Sequence, residues 1–204
     1  MGAEKRSFSI HKNLLCNAAP YFKAALDGGF AESKSQVLEL PEDDEEVFER
    51  FVLWLYTNKL LEENQTMEDV SWEILLGLYI FGEARGISGL QNEVIDTFID
   101  KQEVADLIPT NRAPRIYENT PTDSPLRRLL VDWTAYQAIL SPSEWDFEEE
   151  DDLCPKQFLY DVIFVLYDLR NENRPAEMDF TASRSDYHVK APVTSSDDSA
   201  TGQK

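Results

Sequence analysis

Along most of the chain the apolar positions recur at helical spacing, and only two short stretches alternate with period two. Phe8 and Ile10 alternate with Ser7 and Ser9, which predicts a short strand with one buried face. Residues Lys12 to Ala18 predict a short helix. Pro20 opens a second, because the N–H it lacks has no partner in the first turn anyway, and Tyr21, Phe22, Ala25 and Leu26 follow at helical spacing before Gly28-Gly29 ends the run. Val37, Leu38 and Leu40, closed by Pro41, predict another strand. Asp43 or Asp44 then caps a strong helix whose inner stripe is Val47, Phe48, Phe51, Val52, Leu55 and Tyr56, with Glu45, Glu46 and Glu49 near the positive end of its dipole.

After a polar loop from Glu62 to Asp69, Ser71 caps a helix carrying Ile74, Leu75, Leu78, Tyr79 and Phe81 and ending at Gly86. Ser88 with Gln91 reads as a capping box for the next helix, which buries Leu90, Val94, Ile95, Phe98 and Ile99. Composition shifts near Pro109 and Pro114. Ser124-Pro125 opens a helix to about Leu140, with Leu126, Leu129, Leu130, Trp133, Tyr136 and Ile139 inward. An acidic run, Glu144 to Asp152, contains Trp145 and Phe147. Pro155 opens a last helix with the stripe Phe158, Leu159, Val162, Ile163, Leu166 and Leu169. From Met178 onward Ser, Asp and Thr dominate, and so polar a segment buries too little surface to offset its ordering entropy. Few strands and no repeated strand–helix crossover argue against a doubly wound sheet.

Charge narrows the function classes. The 204 residues carry a net charge of −20, which repels phosphate backbones and anionic membrane surfaces alike. No apolar run reaches the length of a membrane span, and no secretory leader follows Glu4, Lys5 and Arg6. Two cysteines far apart, Cys16 and Cys154, fit reduced thiols in cytoplasm or nucleus better than a disulfide framework.

The ordered set Phe8-Ser-Ile-His11-Lys12-Asn-Leu14-Leu15-Cys16, Pro20-Tyr21-Phe22-Lys23-Ala-Ala25-Leu26, Val37-Leu-Glu-Leu40-Pro41 and Phe48-Glu-Arg-Phe51-Val-Leu-Trp54-Leu55-Tyr56-Thr57 resembles the BTB/POZ family. The likeness covers roughly the first half of the chain. More loosely, Ile116-Tyr-Glu-Asn-Thr-Pro121 with Ser124-Pro-Leu-Arg-Arg-Leu-Leu-Val-Asp132 is similar to the extension of many fungal BTB proteins. The resemblance implies an α+β, helix-rich BTB/POZ fold, a small sheet capped by helical hairpins, over residues 1–105. A helical extension over 106–177 and a disordered acidic, Ser-rich tail over 178–204 complete the expected organisation. Family members usually carry a further strand ahead of the one at Phe8. Nothing of that type precedes it here, so the expected sheet lacks its first strand and has an open edge.

The resemblance also implies a site. Phe30-Ala31-Glu32 matches the apolar-x-Glu motif that cullin-binding BTB domains place after the second helix, where the apolar side chain fills a cleft on the cullin and the acid orients the loop. Tyr56 matches a family tyrosine bordering that surface. A loop folded back on the core for the first, and core packing for the second, are the alternatives. Other candidates carry no chemistry. His11 lacks the convergent ligands a metal needs, His188 lies in the expected tail, and neither cysteine has a neighbouring base. His11 is expected to be a hydrogen-bonding residue where strand meets helix. The acidic runs lack the glycine and terminal glutamate of a calcium loop, and no phosphate loop or nucleophile elbow is present. The expected function is therefore partner binding without catalysis, cofactor or metal. The partner is either a cullin-class ubiquitin-ligase scaffold joined to something else, or further subunits in a homo- or hetero-oligomeric scaffold.

Overall fold

The computed structural model describes residues 6–29, 31–140 and 154–190, with 138–140 described by backbone alone. Nine α-helices lie among the described residues: α1 Lys12–Ala18, α2 Pro20–Asp27, α3 Ala31–Ser35, α4 Glu45–Thr57, α5 Trp72–Arg85, α6 Ser88–Ala105, α7 Ala113–Asn119, α8 Pro125–Leu140 and α9 Lys156–Arg170. Two 3-10 turns, Thr110–Arg112 and Arg184–Tyr187, accompany them. Sequence neighbours pack together: α1 on α2, α4 on α5, α5 on α6, and α8 on both α7 and α9. One cluster of buried apolar side chains runs from Leu15 in α1 to Tyr187 in the last turn.

Local signals explain most helix ends. The Asp44 carboxylate accepts from the N–H groups of Glu46 and Val47, and the Ser71 hydroxyl from that of Ile74, satisfying donors that have no partner inside the helix. Gly86 closes α5 in the left-handed region at φ 67°, where a side chain is disfavoured. Ser88 departs from the expectation. It is the first residue of α6, after Ile87, and no side chain caps that end. Gln91, the supposed second half of a capping box, instead donates to Glu83 Oε2 at 2.7 Å.

The α+β expectation is met only in its helix-rich half, for no strand occurs among the described residues. Residues 6–10 and 36–40 are non-helical, and no backbone hydrogen bond joins them. Their alternation is nonetheless real. Phe8, Ile10, Leu38 and Leu40 are half-buried while Ser7, Ser9, Val37 and Glu39 are exposed. Period two reports one-sided burial of an extended chain, and a helix surface supplies that burial as well as a neighbouring strand does.

Two further expectations shift. In α9 the buried stripe is Phe158, Val162 and Val165, while Leu159 and Ile163 face outward. Both choices fit a helical period, because nearly every non-charged position of α9 is apolar. Residues 178–190, polar enough to be read as tail, dock on α6 and α8. Tyr187 is buried and donates to Asp132, which also accepts from Arg174 at 2.7 Å. His188 lies 2.9 Å from Asp96, and the Val189 N–H reaches Asn92 Oδ1. Burial, reinforced by the Asp132 carboxylate, holds the Tyr187 hydroxyl protonated well above the ordinary tyrosine range. The Trp145 and Phe147 side chains fall outside the described residues, and so does the side chain of Ile139.

The core is densest where α4, α5 and α6 meet. Helix α5 is apolar on nearly every side, the pattern of a helix covered all round, and Leu75, Leu76, Leu78 and Tyr79 are inaccessible. Gly77 lets α4 approach closely, since a Cβ there would stand 2.5 Å from Val47 Cγ2, a branched and rotationally stiff side chain. Gly77→Ala should therefore lower stability by about 1–3 kcal/mol through overpacking, despite alanine's better helix propensity. In a Val47→Ala background the same substitution should stabilise instead. Denaturant unfolding of the four proteins of this cycle measures both signs.

Candidate protein-binding surface

The N-terminal surface is built on α4. The segment before α1 lies along this helix and meets it at three points. Arg6 pairs with Glu49 at 2.9 Å and Glu45 at 3.2 Å, Phe8 packs edge-on against Phe48 at 5.1 Å, and His11 meets Tyr56. The lengths match. The five steps from Arg6 to His11 span about 16 Å at the strand rise, and the eleven steps from Glu45 to Tyr56 rise by about the same distance at 1.5 Å each. The two carboxylates raise the Arg6 guanidinium further above its ordinary value, the Glu49 hydrogen bond first.

At the far end of α4 the Tyr56 hydroxyl oxygen accepts from the His11 backbone N–H at 3.2 Å and lies 2.9 Å from His11 Nδ1. His11 thus acts as the expected hydrogen-bonding hinge into α1, and its imidazole has a structural partner. Lys12 continues the seam by pairing with Asp27 at 2.8 Å and donating to the Leu26 carbonyl, which holds α1 on the end of α2. The Tyr56 ring is about half exposed, so the core-packing alternative does not describe it. Its hydroxyl is occupied by His11 while about half of the residue is open to solvent.

The three residues singled out from the family likeness fare differently. Tyr56 is exposed on α4. Glu32 lies half-buried in the first turn of α3, on the other side of α2 in the chain, and no hydrogen bond or ion pair joins it to Tyr56 among the described residues. Phe30 lies outside the described residues. Sequence reasoning missed two apolar neighbours in the same N-terminal stretch, Tyr21 and Val37, which are also exposed. The sequence places Tyr21 on a helix and Val37 on an expected strand, and spacing alone does not say which residue of such a run faces outward. Arg85 stacks beside Tyr21, 5.4 Å from its ring centre, and over Phe81 at 3.9 Å while pairing with Asp43. Nothing in the sequence spacing linked Arg85 to either partner.

This surface has the means to bind. Exposed rings backed by a rigid helix make good contact anchors. Among the described residues no group of three or more His, Cys, Asp or Glu is arranged to hold a metal ion, and no helix is long and apolar enough to cross a membrane. Tyr56→Phe removes the acceptor of the His11 N–H. Amide exchange at His11 should then quicken several-fold, with the loss of global stability held to about 1 kcal/mol, and residue-resolved hydrogen exchange tests this.

Comparison with known proteins adds one positive finding: residues 1–72 match the BTB/POZ domain. No curated protein and no solved structure matches the chain. The matched stretch takes in α1 to α4 and stops at the first residue of α5.

Proposed function

We propose, from the match of residues 1–72 to the BTB/POZ domain, a protein-interaction module, that this chain is a non-catalytic adaptor that links a partner to a cullin-class ubiquitin-ligase scaffold. The scaffold contact is assigned to Phe30, Glu32 and Tyr56, with residues 1–105 as the binding domain and 106–177 as an extension that engages the second partner. The observation that carries this reading is the outward Tyr56 ring at the end of α4, fixed through its hydroxyl to His11 within the matched segment. A ring held in this way loses little rotamer freedom on binding, which is what an interface anchor requires. The net charge of −20 supports a protein partner over nucleic acid.

Capture of recombinant cullin by the full chain tests the proposal. Binding is expected, and Phe30→Ala or Tyr56→Ala is expected to weaken it at least ten-fold, with a smaller loss for Glu32→Ala. Absence of binding by the unaltered chain removes the adaptor role. Binding indifferent to all three substitutions removes these residues from the contact.

A further inference from the structure

Helix α9 is apolar on both sides, and among the described residues only one side is covered. Ten of its fifteen residues are apolar. Phe158, Val162 and Val165 are buried, and α9 packs on α8. The opposite side carries Leu159, Tyr160, Ile163, Phe164 and Tyr167, exposed by 44%, 57%, 58%, 68% and 63%. Positions 160, 163, 164 and 167 share one face because residues three and four apart are neighbours on a helix, and Leu159 borders them.

Area decides what this face needs. Side chains of this size offer about 200 Å² each, so the five leave about 600 Å² of apolar surface open, the upper end for the largest patch on a soluble monomer. Two such faces pressed together remove about 1,200 Å², which clears the roughly 1,000 Å² that marks a specific interface. The charges beside the stripe have both signs, Lys156 and Arg170 with Asp161 and Asp168. A mixed border can meet opposite charge on its own copy, whereas a border of one sign would repel it. Beyond about 8 Å the remaining negative charge of the chain is screened at physiological salt.

We propose that α9 is a homodimerisation helix, its exposed face packing on the same face of a second copy about a two-fold axis. Such an interface is self-complementary and uses no residue of the N-terminal surface.

Sedimentation equilibrium of the full chain over a wide concentration range tests this, with Phe164→Glu, Ile163→Glu and the milder Tyr160→Gln as variants. All three sites are exposed, and circular dichroism checks that the fold is retained. The unaltered chain should dimerise, and each glutamate should raise the dissociation constant at least ten-fold, with Tyr160→Gln intermediate. A monomer at every concentration overturns the proposal. So does a dimer indifferent to all three substitutions, or a monomer that uses Phe164 to bind a basic amphipathic peptide. Cullin capture by the same variants is expected to be unchanged, so failure here and failure of the adaptor reading are read separately.

Discussion

Phe81 sits at the meeting point of the molecule's two halves. Its ring centre lies 4.8 Å from that of Phe51, 6.0 Å from Phe48 and 6.5 Å from Phe22, so one side chain of α5 closes the core formed by α2 and α4. Phe81 lies beyond the segment that matches the BTB/POZ domain. The N-terminal unit thus completes its interior with a helix from outside the match, and its binding surface inherits whatever stability α5 and α6 supply. Arg85, one turn later, stacks on the same ring and pairs with Asp43, placing the start of α4 against the end of α5. Burying Phe22, Phe51 and Phe81 in one cluster, with Phe48 half-buried beside them, is worth several kcal/mol by area alone, a large share of the stability of a domain this size.

The surface follows from that interior. Because Phe51 and Leu55 point into the core, Glu49 and Tyr56 fall on the side of α4 that receives the segment before α1. The segment is held by a charge pair, a ring contact and a hydrogen bond at successive heights, an attachment a helix can provide without a sheet. The extension is secured in the same piecewise way. Tyr117 donates to Asp161 to join α7 to α9, Arg127 spans Tyr117 and Thr120, and Tyr187 draws the C-terminal segment onto Asp132.

Seven of the nine helices and most caps were legible in the sequence, because Asp44, Ser71 and Gly86 are local signals and Phe22, Phe51, Phe81 and Ile95 each belong to a run with helical spacing, whereas the short helices α3 and α7 carry no such run and were not predicted. What was not legible is what each stripe faces. Phe8 and Ile10 alternate whether they lie on a strand or on a helix. The α9 pattern fits two inner faces, and only packing on α8 chooses between them. Tyr187 and His188 sit in polar surroundings whose composition hides their distant partners, Asp132 and Asp96. For the binding surface, the family pattern pointed to Tyr56, while the exposure of Tyr21 and Val37 depends on tertiary placement.

Shared interior packing makes the N-terminal unit and the helices after it one cooperative body, and residue-resolved native-state hydrogen exchange tests that most directly. The slowest amides of α2 and α4, at Phe22 and Phe51, should share one opening free energy with those of α6, at Ile95. Phe81→Ala should lower all of them together, by about 3–5 kcal/mol. If Phe22 and Phe51 open well before Ile95, and Phe81→Ala leaves α6 unaffected, the two halves are independent and the account is contradicted.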